Sequence, residues 1–234
     1  MNCNESFFDV IDTEDKAYWL GFIAADGSVT IKHPKYNGKE YYYPYVCIAL
    51  KDTDKEHLVK FLHSLNSNAK LYLNKRKNRN YTEASVNISS KQLVDSLNKL
   101  GIYPNKTKTI KPCSCVPINL ERHYWRGIFD GDGCIHTDKK RKYVPSIKLV
   151  LNGTKEICQG FLDFILFNKI QTKAKVTNGH GCYQMQLGGN ILGTKILNLL
   201  YSNNTISLDR KDKLYNTLTS NKRGSFPFTH LHTP

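Results

Sequence analysis

The sequence contains no long hydrophobic run. Nowhere do its 234 residues approach the roughly 18 consecutive apolar residues of a membrane-spanning helix. The first residues, MNCNESFFDVIDTEDK, are too polar for a secretion signal. We therefore expect an intracellular protein without a membrane segment, and leave the compartment open between the cytoplasm of a bacterium or phage host and an organelle. Because 40% of the residues are hydrophobic, the chain can still bury a core, as one large domain or two small ones.

Cysteine patterns that are typical of disulfide scaffolds and zinc sites are missing as well. The seven cysteines are odd in number and scattered along the chain. Cys113 and Cys115 have the spacing Cys-x-Cys, whereas structural zinc sites use pairs of Cys-x-x-Cys. We expect free thiols that pack as small hydrophobic side chains.

Acidic residues are scarce relative to basic ones. The chain has 34 Lys and Arg against 20 Asp and Glu, a net charge of +14. Residues 1–118 hold 17 basic and 12 acidic side chains, and residues 119–234 hold 17 and 8, so the excess is +5 and +9. A basic balance over both halves indicates a polyanion as partner, most often nucleic acid. A cationic surface that only keeps the protein soluble is the alternative.

Two similar stretches, WLGFIAADG at 19–27 and WRGIFDGDG at 125–133, mark an internal repeat. After each stretch the pattern indicates two extended segments, a helix, two further extended segments and a last helix. Residues 81–88 show the period of two that is typical of a strand with one buried face. Hairpin connections imply antiparallel sheets with helices on one face, so the sequence predicts an α+β fold.

The repeat also predicts how the chain is divided. We expect an N-terminal αββαββα repeat over 1–104 and a C-terminal one over 122–219, related by a pseudo-twofold axis. The segment 105–121 contains prolines that disfavour helix and central strand, and it is predicted to be an extended linker. Residues 220–234 lack periodicity and form a tail.

Small residues on the first helix of each repeat predict close packing of the two helices. Gly21 and Ala25 are four residues apart, as are Gly127 and Gly131, so each pair lies on one helix face. Glycine inside a helix costs about 0.5–1 kcal/mol relative to alanine. Close approach of the two helix backbones would offset that cost, which places these helices at the interface between the repeats.

Each of these helices ends in an aspartate followed by a glycine. Asp26 and Asp132 face the negative end of the helix dipole, and in a pseudo-twofold pair they also approach each other. We expect Gly27 and Gly133 to be left-handed helix caps. A divalent cation relieves both penalties, and oxygen ligands completed by water and a substrate phosphate suit Mg²⁺. The sequence thus predicts that Asp26 and Asp132 are metal ligands of a single site for metal-assisted hydrolysis.

With these residues, the chain resembles the LAGLIDADG homing endonucleases in the form that carries two motifs. The family's acidic metal ligand is the eighth motif residue, which matches Asp26 and Asp132. At the sixth position Ala24 departs from the usual aspartate and Asp130 keeps it, while Arg126 replaces a usually apolar second residue. The resemblance covers about residues 12–218, because the repeat pattern follows as well as the motifs.

The resemblance implies a saddle of two sheets on a long DNA site that is cut in both strands, with Mg²⁺ as the ion and Mn²⁺ as a substitute. It further implies catalytic roles for residues that flank the acids. Lys106 and Lys211 match basic residues that stabilise charge on the phosphate. Lys51 and Asn152, at the ends of paired strands, resemble a polar residue that positions water. For all four, an ordinary surface role is the alternative.

The strand pattern predicts DNA contacts on the sheet face that carries no helices. Amide and ammonium groups read base edges in the major groove, and basic hairpin tips contact phosphates. The predicted base-reading residues are Glu83, Ser85, Asn87, Lys148, Gln184 and Gln186. The predicted phosphate contacts are Lys75, Arg76, Lys77, Arg79, Lys139, Lys140, Arg141 and Lys142.

These observations favour a site-specific, Mg²⁺-dependent double-strand DNA endonuclease that acts as a monomer and is encoded within an intron. An RNA-binding intron maturase on the same scaffold is the first alternative, because a basic saddle also suits folded RNA. A DNA-binding regulator without catalysis is the second. Retention of both acids favours the enzyme over either alternative.

Overall fold

The computed structural model describes residues 2–75, 80–138, 146–179 and 181–220. The first repeat contains helices α1 (Glu14–Ala25), α2 (Lys55–Ser64) and α3 (Lys91–Lys99). Its strands are β1 (Gly27–Lys32), β2 (Lys35–Tyr36), β3 (Lys39–Glu40), β4 (Tyr43–Lys51), β5 (Leu71–Lys75) and β6 (Thr82–Ile88). The short β2–β3 hairpin extends the connection between β1 and β4.

The second repeat follows the same order and adds one helix, Asp209–Ser220, that the predicted αββαββα pattern does not contain. Its helices are α4 (Glu121–Asp132), α5 (Lys155–Phe167), α6 (Asn190–Tyr201) and α7 (Asp209–Ser220). Its strands are β7 (Gly133–Asp138), β8 (Ser146–Gly153), β9 (Val176–Asn178) and β10 (Tyr183–Gly188). In the part of the chain that the structure describes, no helix is long and apolar enough to cross a membrane.

The strands form two antiparallel sheets with equivalent topology, β1-β4-β6-β5 and β7-β8-β10-β9. The register is equivalent too: Gly27 pairs with Ile48 as Gly133 pairs with Leu151. The α+β fold class and the paired antiparallel sheets predicted from the repeat are therefore confirmed.

One face of each sheet packs on helices, as the period of two predicts. On β6 the side chains of Ala84, Val86 and Ile88 are buried, and on β10 Met185 and Leu187 are buried. The first aromatic of each motif packs on the next helix of its own repeat. Trp19 lies 4.9 Å from Phe61 on α2, and Trp125 lies 5.6 Å from Phe161 on α5, between ring centroids.

Helices α1 and α4 are in close contact along the interface of the repeats. A Cβ atom added to Gly21 would lie 2.0 Å from the backbone oxygen of Tyr124, and one added to Gly127 would lie 2.1 Å from that of Tyr18. These reciprocal contacts express the pseudo-twofold relation, since Gly21 and Gly127 occupy the same motif position. The two helices therefore pack as closely as the small residues predict.

Segment 105–120 is less extended than we expected. It contains two 3₁₀ turns, Lys106–Lys108 and Ile118–Leu120. The first turn begins after Asn105, whose φ of 61° is left-handed. The turn changes the direction of the chain and buries Lys106, which a fully extended linker would have left on the surface.

Candidate active site at the ends of the motif helices

Asp26 and Asp132 lie at the carboxyl ends of the two packed helices. Asp132 is the last residue of α4, and Asp26 directly follows α1, with its backbone N–H donating to the carbonyl of Phe22 at 2.8 Å. Because α1 and α4 are packed side by side, the two carboxylates belong to one site, although 106 positions separate them in the sequence.

Gly27 and Gly133 are not left-handed caps, so that expectation is wrong. Gly133 has a φ of −85°, and the φ of Gly27 is not positive either. Both start strands directly after the helix. A Cβ at Gly27 would lie 2.7 Å from the Cα of Ile23, and one at Gly133 would lie 2.4 Å from the carbonyl oxygen of Phe129. Glycine is needed here for the sharp helix-to-strand turn, which brings the new strand close to the helix it leaves.

Two buried lysines bind the carbonyl groups at the ends of the motif helices. Lys106 Nζ donates to the carbonyls of Ala24 at 2.8 Å and Ala25 at 3.4 Å. Lys211 Nζ donates to those of Asp130 at 2.8 Å and Gly133 at 2.6 Å, and also to that of Phe129. The two side chains are 6% and 2% exposed, so both predicted residues lie inside the protein beside the acids. A cation at a helix carboxyl end has the favourable sign for the helix dipole.

The acids and the lysines form one electrostatic group. Burial first, and then the nearby charge of Asp26, raise the pKa of Asp132 from 3.8 to about 6, against the opposing charges of Lys106 and Lys211. The carboxyl group of Asp26 reaches solvent, yet the protein that surrounds it still raises its pKa. Burial lowers the pKa of Lys106 and brings that of Lys211 to about 8. The ionised forms of the two carboxyl groups are therefore destabilised in the folded protein, and a bound cation would stabilise them.

The donor set suits a hard divalent cation only in part. Among the described residues, no cluster of three or more His, Cys, Asp or Glu could hold a metal ion. Two carboxylates fill a minority of the six or more oxygen positions around Mg²⁺ or Ca²⁺. The remaining ligands would have to be water and substrate oxygens, so these residues fit an ion that binds together with a phosphate.

The predicted pair Lys51 and Asn152 does not occupy matching positions. Asn152 follows Leu151, the partner of Gly133, whereas the partner of Gly27 is Ile48, so the counterpart of Asn152 is Ala49. Lys51 lies two residues further along β4, is exposed, and stands opposite Glu83. Asn152 stands opposite Gln184 and accepts a hydrogen bond from its amide at 2.8 Å. Only the strand register, which the sequence does not display, distinguishes the two positions.

The open face of the first sheet carries the expected polar residues with one correction. Asn87 is exposed and Glu83 is partly buried, but Ser85 is only 7% exposed. Ser85 lies on a central strand between Ala49 on β4 and Tyr72 on β5. Its short side chain is thus covered by its neighbours, which removes it from the predicted base-reading surface.

The open face of the second sheet matches the expectation more closely. Lys148 and Gln186 are exposed, and Gln184 is partly buried and donates to Asn152. Lys75 is exposed at the end of β5. The remaining predicted phosphate contacts lie outside the described residues: Arg76, Lys77, Arg79, Lys139, Lys140, Arg141 and Lys142.

Sequence reasoning missed a group of tyrosines on the open face of the first sheet. Tyr43, Tyr45 and Tyr72 line a groove of about 540 Å³ together with Lys32 and Asn87. The ammonium group of Lys32 lies 5.3 Å from the ring centroid of Tyr45. The run YYYPY at 41–45 was visible in the sequence, but its alternation across β4 was needed to see which rings share this face.

The structure thus consists of two similar α+β repeats, and each repeat supplies one acid to a pair at their interface. A family model described as LAGLIDADG endonuclease matches residues 19–113, the region of the first repeat. Over these residues the chain is similar to that family, and stretches like the family's motif occur twice in it, at 19–27 and 125–133. Among curated proteins, none matches the sequence.

Solved structures with the same fold cover most of the chain. The LAGLIDADG meganuclease I-AabMI, bound to uncleaved DNA, has a TM-score of 0.57 at 11% identity over 89% of this chain and 92% of that one. The homing endonuclease I-LtrWI, bound to target DNA, has a TM-score of 0.60 at 11% identity over 94% and 92%. I-GzeII, in complex with its DNA target, has 0.58 at 14% identity over 87% and 88%. These TM-scores establish a common fold despite the low sequence identities.

Proposed function

We propose that the protein is a site-specific homing endonuclease that makes a metal-dependent double-strand break in a long DNA target. The observation that carries this proposal is the shared site of Asp26 and Asp132. Each repeat supplies one carboxylate, and each carboxylate has a buried lysine beside it. A DNA-binding protein without catalysis would have no need of two neighbouring acids whose pKa the surrounding protein raises.

Asp26 and Asp132 would hold the divalent ion, with Mg²⁺ as the physiological choice. When bound, such an ion activates water and neutralises charge that develops on the phosphate. The solved structure of I-SmaMI bound to uncleaved DNA in the presence of calcium ions supports a divalent ion in this fold. The carboxylates of this chain must be ionised to ligate, so binding of the ion competes with binding of protons at Asp132.

Lys106 and Lys211 would act through their charge. The ammonium group of Lys211 already donates to three carbonyls, which is all that a lysine can donate. Its positive charge nevertheless opposes the rise that burial causes in the pKa of Asp26, Asp130 and Asp132. We therefore assign the lysines the task of fixing the helix ends and balancing the negative charge that substrate phosphates add to the site.

The open sheet faces would bind the flanks of the DNA site. The first face presents Asn87 with tyrosines and Lys32, and the second presents Lys148 and Gln186. Amide groups pair with adenine and lysine with guanine, while aromatic rings favour the methyl group of thymine. Because the two faces differ, the target would have two different halves, and one chain would suffice to bind it.

We also propose that the gene lies within an intron, which makes the joined exon sequence the target. The resemblance to homing endonucleases supports this, and the nucleotide context of the gene tests it. The RNA-binding maturase remains the alternative, and splicing of the intron transcript with and without the protein distinguishes the two.

The cleavage test compares the protein with Asp26→Asn and Asp132→Asn on DNA that spans the joined exon sequences. The expected result is a double-strand break with Mg²⁺, no break with EDTA, and binding without cleavage by both variants. Asp163→Asn, an exposed carboxylate on α5, is the matched control and should cut normally. Intact DNA on a site shown to bind, or cutting retained by both active-site variants, would refute the proposal.

A further inference from the structure

The second motif helix carries two buried charged residues where the first carries apolar ones. Arg126 is 0% exposed and Asp130 is 1% exposed, one helical turn apart on α4. The equivalent residues of α1 are Leu20 and Ala24. Buried ions are costly unless they are paired and hydrogen-bonded, so their presence in one motif alone calls for a reason.

The carboxylate of Asp130 holds the start of the last helix. It accepts hydrogen bonds from the backbone N–H of Leu208 at 2.8 Å and from the hydroxyl of Tyr201 at 2.5 Å. It also accepts one from the hydroxyl of Tyr18, on the first motif helix, at 2.7 Å. Of its three donors, one therefore lies in the connection between α6 and α7, and a second is the last residue of α6.

The guanidinium group of Arg126 binds carbonyl groups in the same part of the chain. Its Nε donates to the carbonyl of Ile206 at 2.7 Å, and its Nη1 donates to that of Leu200 at 3.0 Å. The third contact is with Nδ1 of His123 on its own helix, at 3.0 Å. Together, Arg126 and Asp130 bind the segment 200–208 at four points.

This segment leads directly to Lys211. The first turn of α7 closes where the N–H of Lys211 donates to the carbonyl of Leu208 at 2.9 Å. From there the side chain of Lys211 returns to the end of α4, where it binds the carbonyls of Phe129, Asp130 and Gly133. Residues of α4 thus bind the segment that precedes α7, and Lys211 on α7 binds the end of α4 beside Asp132.

The first repeat places its lysine by a shorter route. Lys106 follows α3 after six residues and sits in a 3₁₀ turn that Asn105 opens in a left-handed conformation. No additional helix has to be held in place. Leu20 and Ala24 can then stay apolar, which explains why the charged pair occurs in the second motif only.

We propose that Arg126 and Asp130 are positioning residues, which fix the segment 200–208 and thereby hold Lys211 against the end of α4. The inference rests on the proposed endonuclease function. Other elements contact the segment through Arg122, which donates to the carbonyl of Ser202, through Lys60, which donates to that of Ser207 at 3.0 Å, and through Glu14, which accepts from the hydroxyl of Thr205 at 3.0 Å. These contacts are exposed or only partly buried, whereas Arg126 and Asp130 are buried completely, so the buried pair carries most of the positioning.

A double-mutant cycle with Asp130→Ala and Lys211→Met tests the inference on the joined exon DNA at saturating protein. Asp130→Ala alone should slow cleavage about 10-fold or more, since small displacements of a catalytic constellation have effects of this size. In the Lys211→Met background the same change should matter less than about twofold, because residues that act through each other are not additive. Additive losses would overturn the inference.

Amide hydrogen exchange supplies a readout that needs no cleavage. In the metal-free protein, Asp130→Ala should accelerate exchange in peptides from 202–212 at least about 10-fold. Tyr124→Phe is the matched control, because it removes the hydrogen bond that the N–H of Cys113 donates to the Tyr124 hydroxyl, on the same helix but far from this segment in sequence. Equal exchange in both variants would overturn the inference even if wild-type protein cuts DNA. Wild-type protein that does not cut would refute the proposed function instead.

A combined variant guards against misfolding of the single one. Arg126→Leu with Asp130→Ala reproduces the apolar pair of the first motif, and replacement of a buried charged group by apolar residues is often tolerated. This variant should remain folded and still show fast exchange in 202–212 and slow cleavage. Normal exchange and normal cleavage in this folded variant would contradict a positioning role.

Discussion

Asp132→Asn should stabilise the metal-free protein above neutral pH, although it abolishes the proposed activity. The pKa of Asp132 rises from 3.8 to about 6 on folding, first through burial and then through the charge of Asp26. At about 1.4 kcal/mol for each tenfold change in proton affinity, this corresponds to a destabilisation of at most about 3 kcal/mol. Asp132 is partly exposed, so solvent screening should reduce the effect to about 1–2 kcal/mol.

The sign of the pH dependence follows from linkage. Because the folded state binds this proton more tightly than the unfolded state, the penalty is absent below about pH 3.8, develops between about pH 4 and 6, and is complete above. The variant should therefore melt about 2–8 °C above wild type near pH 8, and the difference should shrink near pH 4.5. Asp163→Asn controls for the loss of one negative charge on the surface.

Thermal denaturation in EDTA, followed at several pH values, provides the measurement. In the complex with target DNA, which supplies phosphate ligands, addition of Ca²⁺ should raise the melting temperature of wild type and leave that of Asp132→Asn nearly unchanged, because a ligand stabilises only a folded state that binds it. An Asp132→Asn variant that is no more stable than wild type near pH 8, or whose advantage grows on acidification, would show that the reasoning about this site is wrong.

Three further predictions concern packing and DNA binding. Gly127→Ala should cost about 3 kcal/mol or more in urea denaturation, because its Cβ would lie 2.1 Å from a backbone oxygen, whereas Gly188→Ala, with no atom within 4 Å, should change little. Lys75→Ala should reduce the salt dependence of DNA affinity by about one phosphate contact, and an unchanged slope would remove Lys75 from the interface. Asn87→Ala and Gln186→Ala should each relax sequence preference in a different half of the target, as measured by binding to randomised sites; relaxation in the same half would contradict the assignment of one sheet to each half.

The helix interface was predictable because it depends on residue size alone. Two small residues four positions apart identify a helix face whatever it packs against, and their occurrence in both motifs pointed to each other as partners. The reciprocal contacts of Gly21 and Gly127 with the opposite backbone show that the pattern had one physical cause. The assignment of the sheets followed similarly from a period that any half-buried strand must show.

Positions that depend on tertiary contacts were less predictable. Lys106 and Lys211 could be named from their place in the chain, but nothing in the sequence shows that their ammonium groups are buried against helix carbonyls. Ser85 has the polar identity and the alternation of an exposed residue, yet its neighbours on both sides cover it. For such residues burial is decided by side chains on other strands, which the local pattern does not contain.

The residues of the two repeats differ more as their distance from the shared site increases. The acids and lysines at the centre are paired residue for residue, because each carboxylate at a helix end has an unfavourable sign there and a lysine charge opposes it. Residues two and six positions before the acids already differ, since Arg126 and Asp130 serve a helix that, among the described residues, occurs in the second repeat alone. On the sheets the difference is larger still, with tyrosines on one face and glutamines on the other. On the proposed function, this gradient has a cause: phosphates at the two cleavage positions are chemically identical, whereas the bases read by each sheet are free to differ.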